Sequence, residues 1–76
     1  MQLDLEIDAT GLKCPLPVLR LQKRLGEAAP GQVVRLLASD PMAAIDVPHF
    51  CAEAGHAFLG TEDGGPVPAF LVRKGG

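Results

Sequence analysis

The chain has no tryptophan, no tyrosine and only three phenylalanines. Its core must therefore be built from aliphatic side chains. It has two cysteines, Cys14 and Cys51, far apart and in no CxxC pair. That excludes a disulfide framework and argues against a dithiol redox centre. The Cys and His residues show no zinc-type spacing, so no metal is expected. There is no excess of basic charge: the formal net charge is −2. Binding to nucleic acid through phosphate contacts is not suggested. No apolar run is long enough to cross a bilayer. Met1-Gln2-Leu3-Asp4-Leu5-Glu6 lacks the basic start and apolar stretch of a signal peptide, so a cytoplasmic, reducing setting is the expectation. What is present is 76 residues, 47% of them hydrophobic. That suffices for one small domain with a modest core.

The order of elements follows from periodicity. Leu3, Leu5 and Ile7 alternate with Asp4, Glu6 and Asp8, which marks a half-buried strand. A loop with Gly11 leads to a helix over about 15–28. Its inner stripe is Val18, Leu21, Leu25 and Ala28, with Leu19 beside it. Pro30-Gly31 stops it. Residues 32–38 are apolar on both faces and read as an interior strand. Asp40-Pro41 opens a second helical stretch in which Met42 and Ile45 point inward. Val47, Phe50, Cys51 and Ala54 make a cleaner inner stripe, and Pro48 splits the stretch into a short turn and a proper helix over about 47–54, closed by Gly55. Residues 57–62 and 67–74 are the last strands, joined at Asp63-Gly64-Gly65. Pro68 favours an edge place for the final strand. The order βαβαββ implies an α+β fold. It is a two-layer α/β sandwich with two helices on one face of a mixed four-stranded sheet.

Cys14 is the residue that carries chemistry. It directly precedes Pro15, and proline favours the first helical position. Cys14 then takes the N-cap, a place normally held by Ser, Thr, Asp or Asn. Free backbone N–H groups and the helix dipole favour an anion there, so the thiol is expected to ionise below the usual ~8.5. Lys13 adds a positive charge beside it. Pro15 and Pro17 stiffen the segment, and the N–H groups of Leu16 and Val18 are the donors left near the sulfur. Arg20, Lys23 and Arg24 cluster on the outer face of the same helix. They read either as a solvated surface or as a basic rim for an acidic partner. Cys51 lies on an inner stripe with Val47, Phe50 and Ala54 and reads as a core residue. His49 and His56 are the only candidate imidazole bases.

Gly-Leu-Lys-Cys-Pro-Leu-Pro at the first strand-to-helix junction resembles the signature of the TusA (SirA-like) family of small sulfur carriers. Ala38-Ser39-Asp40-Pro41, Pro48-His49-Phe50-Cys51, Gly55-His56 and Phe70-Leu71-Val72-Arg73-Lys74 extend the likeness over nearly the whole chain. The resemblance implies a sulfurtransferase that takes sulfane sulfur as a persulfide on Cys14, without metal or organic cofactor. The donor would be a cysteine desulfurase or rhodanese-like protein. The acceptor would be a relay protein for tRNA thiolation or for sulfur metabolism. A monomer is expected. Met42-Ala43 after Pro41, and Pro66 and Pro68 before the last strand, depart from the family pattern. The other reading is a regulatory or interaction module with Cys14 as a redox-sensitive thiol. The terminal Gly75-Gly76 also occurs in thiocarboxylate carriers. Those place two strands before the helix, so here the pair reads as a frayed tail.

Overall fold

The computed structural model describes residues 3–75. Its elements are β1 (Leu5–Asp8), α1 (Leu16–Glu27), β2 (Val33–Leu37), α2 (Ala43–Ala54), β3 (Ala57–Glu62) and β4 (Ala69–Arg73). The sheet order is β1-β2-β4-β3, with β1 parallel to β2 and the other pairs antiparallel. The fold is the expected βαβαββ sandwich on a mixed four-stranded sheet.

Register explains the two layers. Ile7 pairs with Leu36, Leu36 with Phe70, and Val34 with Val72. Side chains alternate across a strand, so these residues share one face. They form a single core with Leu21 and Leu25 of α1 and Val47 and Cys51 of α2. Both helices therefore cover the same face. Each of Leu21, Leu25, Leu36, Val34, Val47 and Val72 is almost fully enclosed, and burying such a side chain stabilises by about 1.5–3 kcal/mol. On the outer face Arg35 spans from Glu6 on β1 (3.3 Å) to Glu62 on β3 (2.9 Å).

Four local expectations need correction. The final strand is central, between β2 and β3. Pro68 lies just outside its ladder, where its carbonyl still accepts the Ala38 N–H at 3.2 Å. The apolar run Ala69-Phe70-Leu71-Val72, buried throughout, decides the interior place, and the missing N–H of Pro68 costs nothing there. The second helix is continuous over Ala43–Ala54 with Pro48 inside it. Proline removes the partner of the Ala44 carbonyl, but Ala44 is exposed, so water can serve that group. The helix begins early because Asp40 organises its start, accepting Met42 N–H on Oδ1 and Ala43 N–H on its carbonyl. The earlier start turns Met42 and Ile45 outward, and Ala43 and Val47 take the inner positions. Leu19 of α1 likewise faces solvent; the inner row is Pro17, Leu21 and Leu25, with Val18 partly buried.

The chain's end is tied down as far as it is described. Gly55 closes α2 at φ +83, a left-handed conformation that favours glycine. Gly75 N–H donates to His56 Nδ1 at 2.9 Å, so Gly75 is not frayed; Gly76 lies outside the described residues. A Cβ on Gly75 would meet the Gly55 carbonyl oxygen at 1.8 Å. Gly75→Ala should therefore detach the tail and cost about 1 kcal/mol, the net contribution of one hydrogen bond. Chemical denaturation of both proteins measures it, and an unchanged midpoint would show that the tail contributes nothing.

Candidate functional site

The site lies where the β1–α1 and β2–α2 junctions meet. Because β1 and β2 are parallel neighbours, both connections leave the same end of the sheet. Three hydrogen bonds fix the first junction. Asp8 Oδ1 accepts Thr10 N–H at 3.0 Å, Ser39 Oγ accepts Gly11 N–H at 2.9 Å, and Asp40 Oδ2 accepts Cys14 N–H at 2.5 Å. Asp40 thus serves both segments: one carboxylate oxygen starts α2 and the other holds the backbone of Cys14.

Both cysteines are free; Cys14 is exposed and Cys51 buried, as the sequence predicts. Burial pushes the Cys51 thiol up, which suits a core residue. The detailed cap is different from the expectation. The residue flanking α1 is Pro15, no side chain caps the helix, and the Cys14–Pro15 peptide is cis. Cys14 stands one position further out. The Leu16 N–H donates to the Lys13 carbonyl at 2.8 Å, so it is not free for the sulfur. Pro17 turns into the core, while Pro15 and Val18 wall a cleft beside Cys14. Lys13 acts on Asp40, whose carboxyl it helps to keep ionised.

The direction of the Cys14 pKa is also reversed. Cys14 Sγ donates to Asp46 Oδ2 at 2.8 Å. That hydrogen bond favours the thiol and raises the Cys14 pKa above the ordinary value. Desolvation and the negative charges of Asp46 and Asp40 act the same way. A lowered pKa follows from the helix terminus considered alone; a carboxylate in direct contact outweighs a partial charge diluted over a helix end. Asp46 could not be found from the cysteine's neighbours in sequence, being 32 positions away. Its only signal is its place in the first turn of a helix that sequence reasoning began too late.

Neither histidine makes a dyad with Cys14. His49 Nε2 faces Glu53 Oε1 one turn along α2. His56 accepts from Gly75 and packs against Phe50 with ring centroids 5.7 Å apart. Among the described residues no group of three or more His, Cys, Asp or Glu could hold a metal ion. Among the described residues no helix is long and apolar enough to cross a membrane.

The basic residues do come together. Arg20, Lys23 and Arg24 line a shallow groove of about 620 Å³ with the side chains of Leu12, Leu16 and Leu19. Leu16 and Leu19 are each about half exposed. Arg24 is within 3.4 Å of Glu27. Cys14 itself lines a smaller cleft of about 290 Å³, walled by Pro15, Val18 and Phe50 and rimmed by Asp46, His49 and Glu53. The cysteine therefore lines the acidic-rimmed cleft against α2, while Leu12 and Leu16, two positions either side of it in the chain, line the basic, partly apolar groove.

The junction carboxylates are expected to contribute to the acid limit of the fold. Asp8 is held below the ordinary 3.8, first by the Thr10 N–H, and Asp40 likewise by the N–H groups of Met42 and then Cys14. A depressed carboxyl stabilises fully above its unfolded value and loses that contribution as pH falls through its folded one. Stability should hold from neutrality to about pH 4 and decline below. Asp40→Asn should make that decline shallower; denaturant titrations from pH 7 to pH 2 would reveal an unchanged slope if Asp40 plays no part.

Comparison with known proteins agrees with this architecture. The family model described as "Sulfurtransferase TusA" matches residues 5–74. A protein described as sulfur carrier protein TusA, from Pseudomonas entomophila (strain L48), is 41% identical over 71 residues. The match covers 93% of this chain and 89% of that one. The crystal structure of a SirA-like protein from Desulfitobacterium hafniense superposes with a TM-score of 0.76 at 28% identity, over 96% of this chain and 100% of that one. With sequence and fold alike matched almost end to end, the chain belongs to the TusA sulfurtransferase family.

Proposed function

We propose that this sulfur carrier holds sulfane sulfur as a persulfide on Cys14 and passes it between proteins. The observation that carries the reading is that Cys14 is the exposed thiol while Cys51 is enclosed. Asp40 anchors the Cys14 backbone, so the sulfur is presented from a fixed junction. In loading, the Cys14 thiolate attacks the outer sulfur of a donor persulfide. A new S–S bond forms at Cys14, the donor's S–S bond breaks, and the donor leaves as a thiolate. Delivery is the same step with the roles exchanged. Atoms and charge balance without an external oxidant, metal or cofactor.

The donor would be a cysteine desulfurase or a rhodanese-like protein, meeting the groove of Arg20, Lys23 and Arg24. The acceptor would be a relay protein for tRNA thiolation or for sulfur metabolism. Lys13, Pro15, Leu16, Pro17 and Val18 support the persulfide by shaping the junction and the cleft, with Pro17 acting from the core side. Incubation with a cysteine desulfurase and cysteine, or with a rhodanese and thiosulfate, should add sulfur to Cys14. The mass should return to its starting value after reductant. Intact-protein and peptide mass spectrometry report both. Sulfur recovered on the C-terminal carboxyl instead would make the chain a thiocarboxylate carrier, and no loading from either donor class would refute persulfide carriage.

A further inference from the structure

We propose that Asp46 is a latch on Cys14: it holds the sulfur as a thiol between transfers and selects an exchange partner whose reactive sulfur lies beside a cationic side chain. The proposal rests on the reading that Cys14 is the exchanging sulfur, and its test does not require sulfur carriage.

The geometry is a direct contact. The Cys14 thiol donates to Asp46 Oδ2 at 2.8 Å, and a carboxylate acceptor makes such a bond strong. The charged groups around the sulfur are Asp46, His49 and Glu53 from α2, Asp40 from the junction before it, and Lys13 on its own segment. Of the two potential cations, His49 is turned to Glu53, and Lys13 makes no side-chain contact with the sulfur or with Asp46. Thus no cation of the described residues stands between the sulfur and Asp46. A thiolate formed here faces two carboxylates, which disfavour it. The isolated carrier is kept unreactive by that repulsion.

A partner can reverse it. Its cation, entering the cleft, pairs with Asp46 and Glu53 and removes the thiol's acceptor. The thiol proton passes to solvent, and the thiolate attacks the partner's outer sulfur. The partner's S–S bond breaks, and its leaving thiolate is stabilised by the same cation. Once loaded, Sγ has no proton to donate to Asp46. The outer sulfur, anionic near neutrality, is repelled by the carboxylates. The latch thus opposes an idle thiolate and favours delivery of a bound persulfide.

Two measurements on the whole protein test this. Aminoethyl and sulfonatoethyl methanethiosulfonate differ in charge. Each forms a mixed disulfide on Cys14 and expels methanesulfinate. The cationic reagent should react faster with the native protein, and Asp46→Asn should reduce that preference severalfold. The rate of alkylation by neutral iodoacetamide, followed against pH, should have its midpoint above the ordinary thiol value in the native protein and lower in Asp46→Asn. The gain at pH 7 should be severalfold, because each tenfold rise in thiolate is offset by about a threefold loss of nucleophilicity. A variant that keeps the native midpoint or the native reagent preference overturns the proposal. Circular dichroism checks that Asp46→Asn is folded, and Asp46→Ser replaces it if it is not. Failure of every donor to load Cys14 would refute persulfide carriage while leaving these thiol measurements standing.

Discussion

Cys14→Ser is expected to fold like the parent and to take up no sulfur from any donor. The fold does not depend on the thiol. Cys14 is exposed, and its backbone, which the substitution leaves intact, is held by Asp40. The serine hydroxyl can donate to Asp46 in place of the thiol, since the contact is a short one-donor bond. Exposed substitutions of this kind change stability by less than about 0.5 kcal/mol. The chemistry is lost completely, because an oxygen cannot accept sulfane sulfur in a reversible S–S bond. Cys51 cannot substitute: it is 1% exposed and its thiol is pushed up by burial. Mass spectrometry after incubation with donor should show no added sulfur, with a thermal midpoint matching the parent. A folded Cys14→Ser protein that retains biological function would instead favour the regulatory-module reading.

Reversing charge on the α1 groove is expected to slow loading by tenfold or more while leaving the fold intact. Arg20 and Lys23 are exposed, and Arg24 makes only a surface contact with Glu27. Such charges contribute up to about 1 kcal/mol to folding. Together they form one side of a groove that also presents Leu16 and Leu19. A clustered potential of one sign changes association rates by about 10–10³-fold. Arg20→Glu combined with Arg24→Glu should therefore reduce the rate of sulfur uptake from an acidic donor far more than it changes the plateau. The difference should shrink as salt is raised, because the screening length is about 10 Å at 0.1 M. Loading kinetics indifferent to both charge reversal and salt would leave these residues as a solvated helix face.

The amphipathic α1 groove and the acidic-rimmed cleft that Cys14 lines are separate surfaces. A donor with an acidic surface for the groove and a cation beside its reactive sulfur for the cleft would satisfy both.

The sequence by itself determined the element order, the sheet class, the burial of Cys51 and the exposure of Cys14. These depend on local rules: alternation in Leu5–Asp8, the Leu21-Leu25-Ala28 row of the first helix, and a cysteine directly before Pro15 in a strand-to-helix loop. They are legible because each is set by neighbours a few positions away. Tertiary structure decided three things those rules could not reach. It placed β4 in the middle of the sheet despite Pro68, because burial of Ala69–Val72 outweighs one missing donor just outside the ladder. It carried α2 unbroken through Pro48, because the carbonyl left over is on the solvent side. It also set the state of the sulfur. A helix terminus favours the thiolate, but the parallel pairing of β1 and β2 brings Asp40 and Asp46 against Cys14 from the second junction. Electrostatic energy falls with distance, so the carboxylate at 2.8 Å governs the thiol, and only the folded chain makes that distance.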